Sequence, residues 1–261
     1  MNTHAVKRWW RTYMETRLQT ARHAVNSWIV QLKTYRHQRI VYALVLTNFT
    51  SVFLFGLRLI GADNARYWFM LWNLTLAWAA PLTAWLLVTR LHKTVWRSWP
   101  NLFLTIVWLG FLPNSFYMVS DLIHVQQTGE VSIIYDAVLF TSFIFNGFIA
   151  GYLGLFLIHR ELLKRYSSLR SYVLIGLVFM LSGLAIYLGR VQRWNTWDAL
   201  FSPAGLIFDV SDILINPLAH PQAFLITFSF TVLVGVFYIL AWEVFRSWHA
   251  PETSRQQSRK R

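Results

Sequence analysis

The chain has 261 residues, of which 56% are hydrophobic, 17% aromatic and only 13% charged, with a formal net charge of +13. So little charge, with the apolar residues gathered into long runs, excludes a soluble globule of ordinary composition and points to a membrane protein. The absence of cysteine excludes disulfides and thiolate metal sites. The basic excess lies in the segments flanking the apolar runs, so no nucleic-acid partner is expected.

In chain order, residues 1–38 form a basic cytoplasmic segment. Trp10, Met14, Leu18, Ala21, Val25, Trp28 and Leu32 recur every three or four positions, with Arg11, Glu15, Arg22 and Lys33 off that stripe. Two readings stand side by side: an amphipathic helix lying among anionic headgroups, or a partly ordered polybasic tail. Residues 1–37 hold no apolar run of signal-peptide kind, so no cleavable signal is expected and the first span serves as the insertion signal.

Six spans are predicted within a transmembrane domain over 39–246, near 39–60, 67–89, 99–119, 132–158, 172–189 and 223–245, each close to the ~20 residues a bilayer requires. A basic cytoplasmic tail, 247–261, follows. The expected fold is an all-α bundle of about six transmembrane helices. It carries an N-terminal basic amphipathic helix and a short outer helix, interfacial or re-entrant. Of the 24 Lys and Arg residues, 20 precede or open the first span, follow the last, or lie between spans two and three or four and five. Arg58, Arg66, Arg190 and Arg193 are left for the other side. The positive-inside rule then places both termini in the cytoplasm of a bacterial inner membrane. Asp63, Asp121, Glu130, Asp136, Asp198, Asp209 and Asp212 fall outside or at the outer edge.

Within the spans, Gly147, Gly151 and Gly154 offer a small-residue face for close helix packing. Asn73 and Asn146 are amides in apolar runs and require partners. Pro81 and Pro113 require that the carbonyls they free be satisfied again. In the long connection 190–222, Ser202-Pro203 reads as a helix start and Pro217 as its stop. A helix of ~15 residues is too short to span.

The chemically suggestive stretch runs from Trp108 to His124, Trp-Leu-Gly-Phe-Leu-Pro-Asn-Ser-Phe-Tyr-Met-Val-Ser-Asp-Leu-Ile-His. At about 100° per residue, Asn114, Tyr117, Asp121 and His124 share one arc, and Phe116, Met118, Val119, Leu122 and Ile123 take the other. A carboxylate and an imidazole on the face opposite the apolar one look into protein or water, not lipid. The topology sets beside them Gly189-Arg-Val-Gln-Arg-Trp-Asn-Thr-Trp-Asp198. Arg190 or Arg193 is expected to pair with Asp121, since an unpaired carboxylate at that depth is costly.

These two segments resemble the signature positions of a bacterial membrane family, Domain of Unknown Function 1361, over roughly spans two to six. The resemblance implies a multi-pass bacterial membrane protein and implies no activity. From the residues themselves, Asp121 and His124 suit proton transfer. Arg190 and Arg193 suit an anionic headgroup. Asn114, Tyr117, Trp194, Asn195, Trp197 and Asp198 complete the substrate-binding set. The i, i+3 spacing of Asp121 and His124 can share a metal, but two ligands are too few, so neither a metal nor a cofactor is expected. Three functions compete: an outward-facing enzyme acting on a lipid-linked or envelope substrate, an accessory or scaffold subunit docking a membrane-protein partner, and, with the least support, a transporter. Membrane lipid is a partner in each. A purely structural polar network docking spans three and five accounts for the same residues.

Overall fold

The computed structural model describes residues 39–62, 64–127, 129–194 and 198–249, with Gln19 as an isolated position. The stripe expected over 7–36 and the basic tail therefore lie outside the described residues. Contacts divide the chain after Thr50, and the packing below is that of residues 51 onward. Among the described residues every element is helical: α1 (Arg39–Ala62), α2 (Phe69–Leu91), α3 (Trp99–Tyr117), a 3-10 turn (Met118–His124), α4 (Ile133–Leu163), α5 (Ser168–Arg190), α6 (Asp198–Phe201), α7 (Pro203–Ile215) and α8 (Pro221–His249). Six stretches among the described residues are long and apolar enough to cross a membrane: α1, α2, α3 with its 3-10 extension, α4, α5 and α8.

Local sequence sets the helix boundaries. Ser98 is extended and Pro100 enters the first turn of α3, where its missing N–H has no partner to lose. Ser132 caps α4 by accepting from the Ile134 amide at 3.3 Å. Pro203 opens α7 as expected, and α7 has 13 residues. The largest shift is in α4, which runs to Leu163 rather than 158, about one turn further, while α5 begins at Ser168 rather than 172.

The helices pack in two groups, α2 against α3 and α4, and α5 against α8, with α3 touching α5. Ala77, Ala80 and Ala84 are fully buried on α2, and Gly147, Gly151 and Gly154 face inward on α4. A Cβ on Gly147 would stand 2.3 Å from the Ser115 carbonyl oxygen and 2.4 Å from Met118 Cε, so α4 and α3 approach closer than any side chain allows there. Pro81 frees the Ala77 carbonyl inside α2, and Ser115 Oγ of α3 donates to it at 3.1 Å. Asn146 finds its cross-helix partner in α1, donating to Ser51 Oγ at 2.8 Å. The result is a tight α2–α3–α4 unit whose packing carries the end of α3 to a fixed place.

That end is not an α-helix. From Met118 the chain tightens to 3-10 for seven residues, longer than such runs usually persist. At three residues per turn, Met118, Asp121 and His124 fall in one row. Met118, expected on the face opposite Asp121, is instead buried in the same row, against Phe140 and Phe143. The correction follows from the period, since 100° per residue no longer applies.

Candidate functional site

Asp121 is buried, yet neither carboxylate oxygen lacks a donor. The Arg190 Nη2 guanidinium nitrogen pairs with Oδ1, and Asn73 Nδ2, from the second turn of α2, donates to Oδ2 at 2.9 Å. Arg190 is the last residue of α5, so the pair ties the ends of α3 and α5 together. Its Nε donates to Ser120 Oγ at 3.0 Å and its Nη1 to His124 Nε2 at 3.2 Å. A guanidinium has only donors, so Nε2 is the acceptor and the His124 ring proton sits on Nδ1. The guanidinium also lies over the Tyr117 ring, 4.3 Å from its centroid. Asp121 and His124 are thus joined through Arg190.

Two features hold this geometry. Tyr117 crosses Gly189, where a Cβ would be 3.2 Å from the ring and 3.4 Å from the Trp194 carbonyl oxygen. His124 packs edge-on against Phe69, with ring centroids 5.3 Å apart. The His124 side chain is itself exposed.

A second ion pair, unforeseen in the sequence, lies at the same end of the bundle. Arg58 near the end of α1 donates from Nε to Asp136 Oδ1 at 2.8 Å, with Asp136 in the first turn of α4. Its Nη1 donates to Asn64 Oδ1 at 3.2 Å and its Nη2 reaches Glu130 at 3.5 Å. Tyr67 stacks under the guanidinium, 4.3 Å away, and its hydroxyl lies 3.3 Å from both Asp136 Oδ2 and the His124 carbonyl oxygen. Tyr67 therefore joins the second network to the first. Burial, reinforced by the Asp136 carboxylate, pushes the Tyr67 phenol above its ordinary value. At the exposed rim, the Asn64 amide, with Arg66 and Arg58, holds Glu130 below the ordinary carboxylate range.

Of the ten residues singled out in the sequence, Tyr117, Asp121, His124 and Arg190 come together. Asn114 donates to the Phe111 carbonyl of its own helix at 3.3 Å. Arg193 is exposed and takes a left-handed φ of 63° in the turn after α5. Trp194 turns away to α7, its Nε1 donating to Asp209 Oδ2 at 2.8 Å. Asp198 opens α6, and Asn195 and Trp197 lie outside the described residues. Asn73, Ser120 and Tyr67 join the cluster without having been placed in it. Asn73 carried a signal, as an amide stranded in an apolar run. Among the described residues no three His, Asp or Glu side chains gather as a metal site, and Arg190 holds a positive charge where a cation would meet Asp121.

Among the described residues, six helices long and apolar enough to cross a membrane define a multi-pass membrane protein. The particular family follows from the sequence itself: the model described as protein of unknown function (DUF1361) matches residues 72–237, from α2 into α8, and the chain belongs to that family. No curated protein and no solved structure matches the chain.

Proposed function

We propose that the chain is a membrane enzyme of the bacterial inner membrane, with its termini cytoplasmic and the Arg190 cluster facing outward, acting on a lipid-linked or envelope substrate. One observation carries the reading: an exposed imidazole, His124, stands beside a partly exposed guanidinium within an apolar rim. Three Arg190 donors are committed, to Ser120, His124 and Asp121, which leaves two of the five N–H groups for a headgroup. His124 serves proton transfer through Nε2, once its contact with Arg190 opens. Leu122 and Ile123 of the same turn, Trp68 and Trp72 at the start of α2, and Val191 are exposed, a surface suited to an amphiphile. Turnover of a lipid-linked envelope precursor by protein in nanodiscs tests the reading. His124→Ala is expected to abolish turnover while costing only about 1 kcal/mol in thermal unfolding, the worth of the one hydrogen bond lost with Arg190. Full turnover by His124→Ala overturns it. Labelling from outside intact cells tests the orientation, with Glu130→Cys expected to react and His92→Cys and Ser168→Cys to be silent.

A second reading has its own support. Both Asp121 oxygens are engaged without any ligand, as a static docking network requires. On that reading the protein is an accessory subunit, and another membrane protein co-purifies with it in stoichiometric amount.

A further inference from the structure

The helix between α5 and α8 has two apolar faces, and only one is covered. Leu206, Val210 and Ile213 of α7 pack onto Tyr187 and Leu188 of α5 and onto Ala223 and Ile226 of α8. On the opposite side Ile207, Phe208, Leu214 and Ile215 are exposed. At about 100° per residue these four fall within an arc of about 120°. Phe201 before the helix and Leu218 after it are exposed as well. In water such a face is a liability.

Both carboxylates of α7 fall outside that arc, Asp212 about 40° beyond Phe208 and Asp209 further round. Asp209 accepts from Trp194 Nε1 at 2.8 Å. Asp212 is held by Asn216 Nδ2 at 2.6 Å and His220 Nε2 at 2.7 Å. The exposed arc therefore carries no ionised group. No Lys or Arg occurs between Trp194 and Phe245, whereas a helix lying among anionic headgroups presents cations to them. Thirteen residues extend about 20 Å, less than the ~30 Å hydrocarbon thickness, so α7 cannot cross. The same turn of α8 that carries Ala223 and Ile226 exposes Phe224 and Leu225, residues of a membrane span. The uncovered face of α7 is thus of the same apolar kind as the exposed residues of the α8 span it packs against.

We infer that α7 is a membrane-inserted helix whose Ile207, Phe208, Leu214 and Ile215 face is buried in the acyl chains of a single leaflet. The inserted helix also anchors the turn that follows Arg190, because Trp194 is held by Asp209 and its ring packs on Gly205. Insertion is independent of any catalysis at His124 and stands or falls by a separate measurement.

The cysteine-free chain makes that measurement direct. Spin labels are placed singly at Ile207→Cys, Phe208→Cys and Ile215→Cys in the full chain, reconstituted in phosphatidylcholine–phosphatidylglycerol vesicles. Leu225→Cys serves as the lipid reference and Glu130→Cys as the aqueous one. Power saturation with oxygen, which partitions into acyl chains, and with a water-soluble nickel chelate reads the depth. The three α7 labels are expected to match Leu225→Cys, with high oxygen and low nickel accessibility. Labels that match Glu130→Cys overturn the proposal by placing the face in water. Labels shielded from both reagents overturn it by showing that protein, a second copy or another chain, covers the face.

Discussion

Arg58–Asp136 and Arg190–Asp121 are built from the same parts and sit at the same end of the bundle, yet they differ in how far they are closed. The Arg58 and Asp136 side chains are 1% and 0% exposed, and those of Arg190 and Asp121 are 19% and 1% exposed. Each guanidinium lies over a tyrosine ring at 4.3 Å. In the first pair both charges are withdrawn from water, so each depends on the other. In the second the carboxylate is withdrawn and the guanidinium reaches the surface beside His124. A sealed pair can only hold helices together, here α1 to α4. A half-open pair holds α3 to α5 and still presents donors outward, and this difference places the candidate chemistry at Arg190 rather than Arg58.

The sharpest test of the difference is to break each pair in turn. Asp136→Asn leaves Arg58 buried without its counter-charge and is expected to cost about 3–5 kcal/mol, since losing one partner of a buried pair strands the other. Arg58→Gln carries a similar loss. Thermal unfolding in mild detergent measures both.

Asp121→Asn is expected to cost less, about 1.5–3 kcal/mol, because the Arg190 head can turn to water once released. Adding Arg190→Gln should restore part of that loss, giving a coupling of about 0.5–3 kcal/mol in the double-mutant cycle. A loss at Asp121 equal to that at Asp136 would erase the distinction between the pairs. Strictly additive losses would remove the Arg190–Asp121 interaction itself.

The sequence made the second pair legible and hid the first, for reasons that lie in the residues. Asp121 follows an apolar run on a helix face of its own, and few cations were left for its side of the membrane, so Arg190 and Arg193 were the natural partners. Choosing between them needed the end of α5, because Arg193 sits in a left-handed turn that sequence does not announce. Arg58 and Asp136 lie 78 residues apart, each at the edge of its own span, where a lone charge reads as solvated by headgroups. Only the joining of α1 to α4 brings them together. Six long apolar helices and a short helix between the last two of them were readable because hydrophobic length alone determines them. The reversal at Met118 was not, because one period was assumed where the chain changes to another. Asn73 was recognisable as needing a partner, but naming Asp121 required the packing of α3 against α2 at Ala77 and against α4 at Gly147 and Gly151.

Tyr67 is where the two networks meet, and it yields a smaller effect. Tyr67→Phe removes a hydroxyl within 3.3 Å of Asp136 Oδ2 and of the His124 carbonyl oxygen, at an expected cost of about 1 kcal/mol. The loss should be less than additive with Asp136→Asn, which removes the charge and puts an amide nitrogen in place of one of the two carboxylate oxygens. With Asp121→Asn it should be additive within about 0.5 kcal/mol. Coupling of equal size to both carboxylates would mean that the two pairs act as one unit.

The smallest effect belongs to a third pair, which extends the comparison to a contact whose two partners are both partly exposed. Asp212 and His220 tie the end of α7 to the start of α8 at 2.7 Å, and their side chains are 39% and 23% exposed. The hydrogen bond from Asn216, and then that from His220, hold the Asp212 carboxyl below its ordinary value. A carboxyl lowered in the folded state contributes stability at pH above its ordinary value and loses that contribution as pH falls through the lowered one. Asp212→Asn should therefore lower the melting temperature slightly near neutral pH, and the difference from the parent should close as the medium is acidified past the carboxylate range. Because the pair is exposed, ~1 M salt, where the Debye length is about 3 Å, should shrink the neutral-pH difference as well. The Asp136→Asn deficit, shielded from solvent, should persist in the same salt. If salt reduces the two deficits equally, exposure is not what separates these ion pairs, and the assignment of chemistry to the half-open one loses its physical basis.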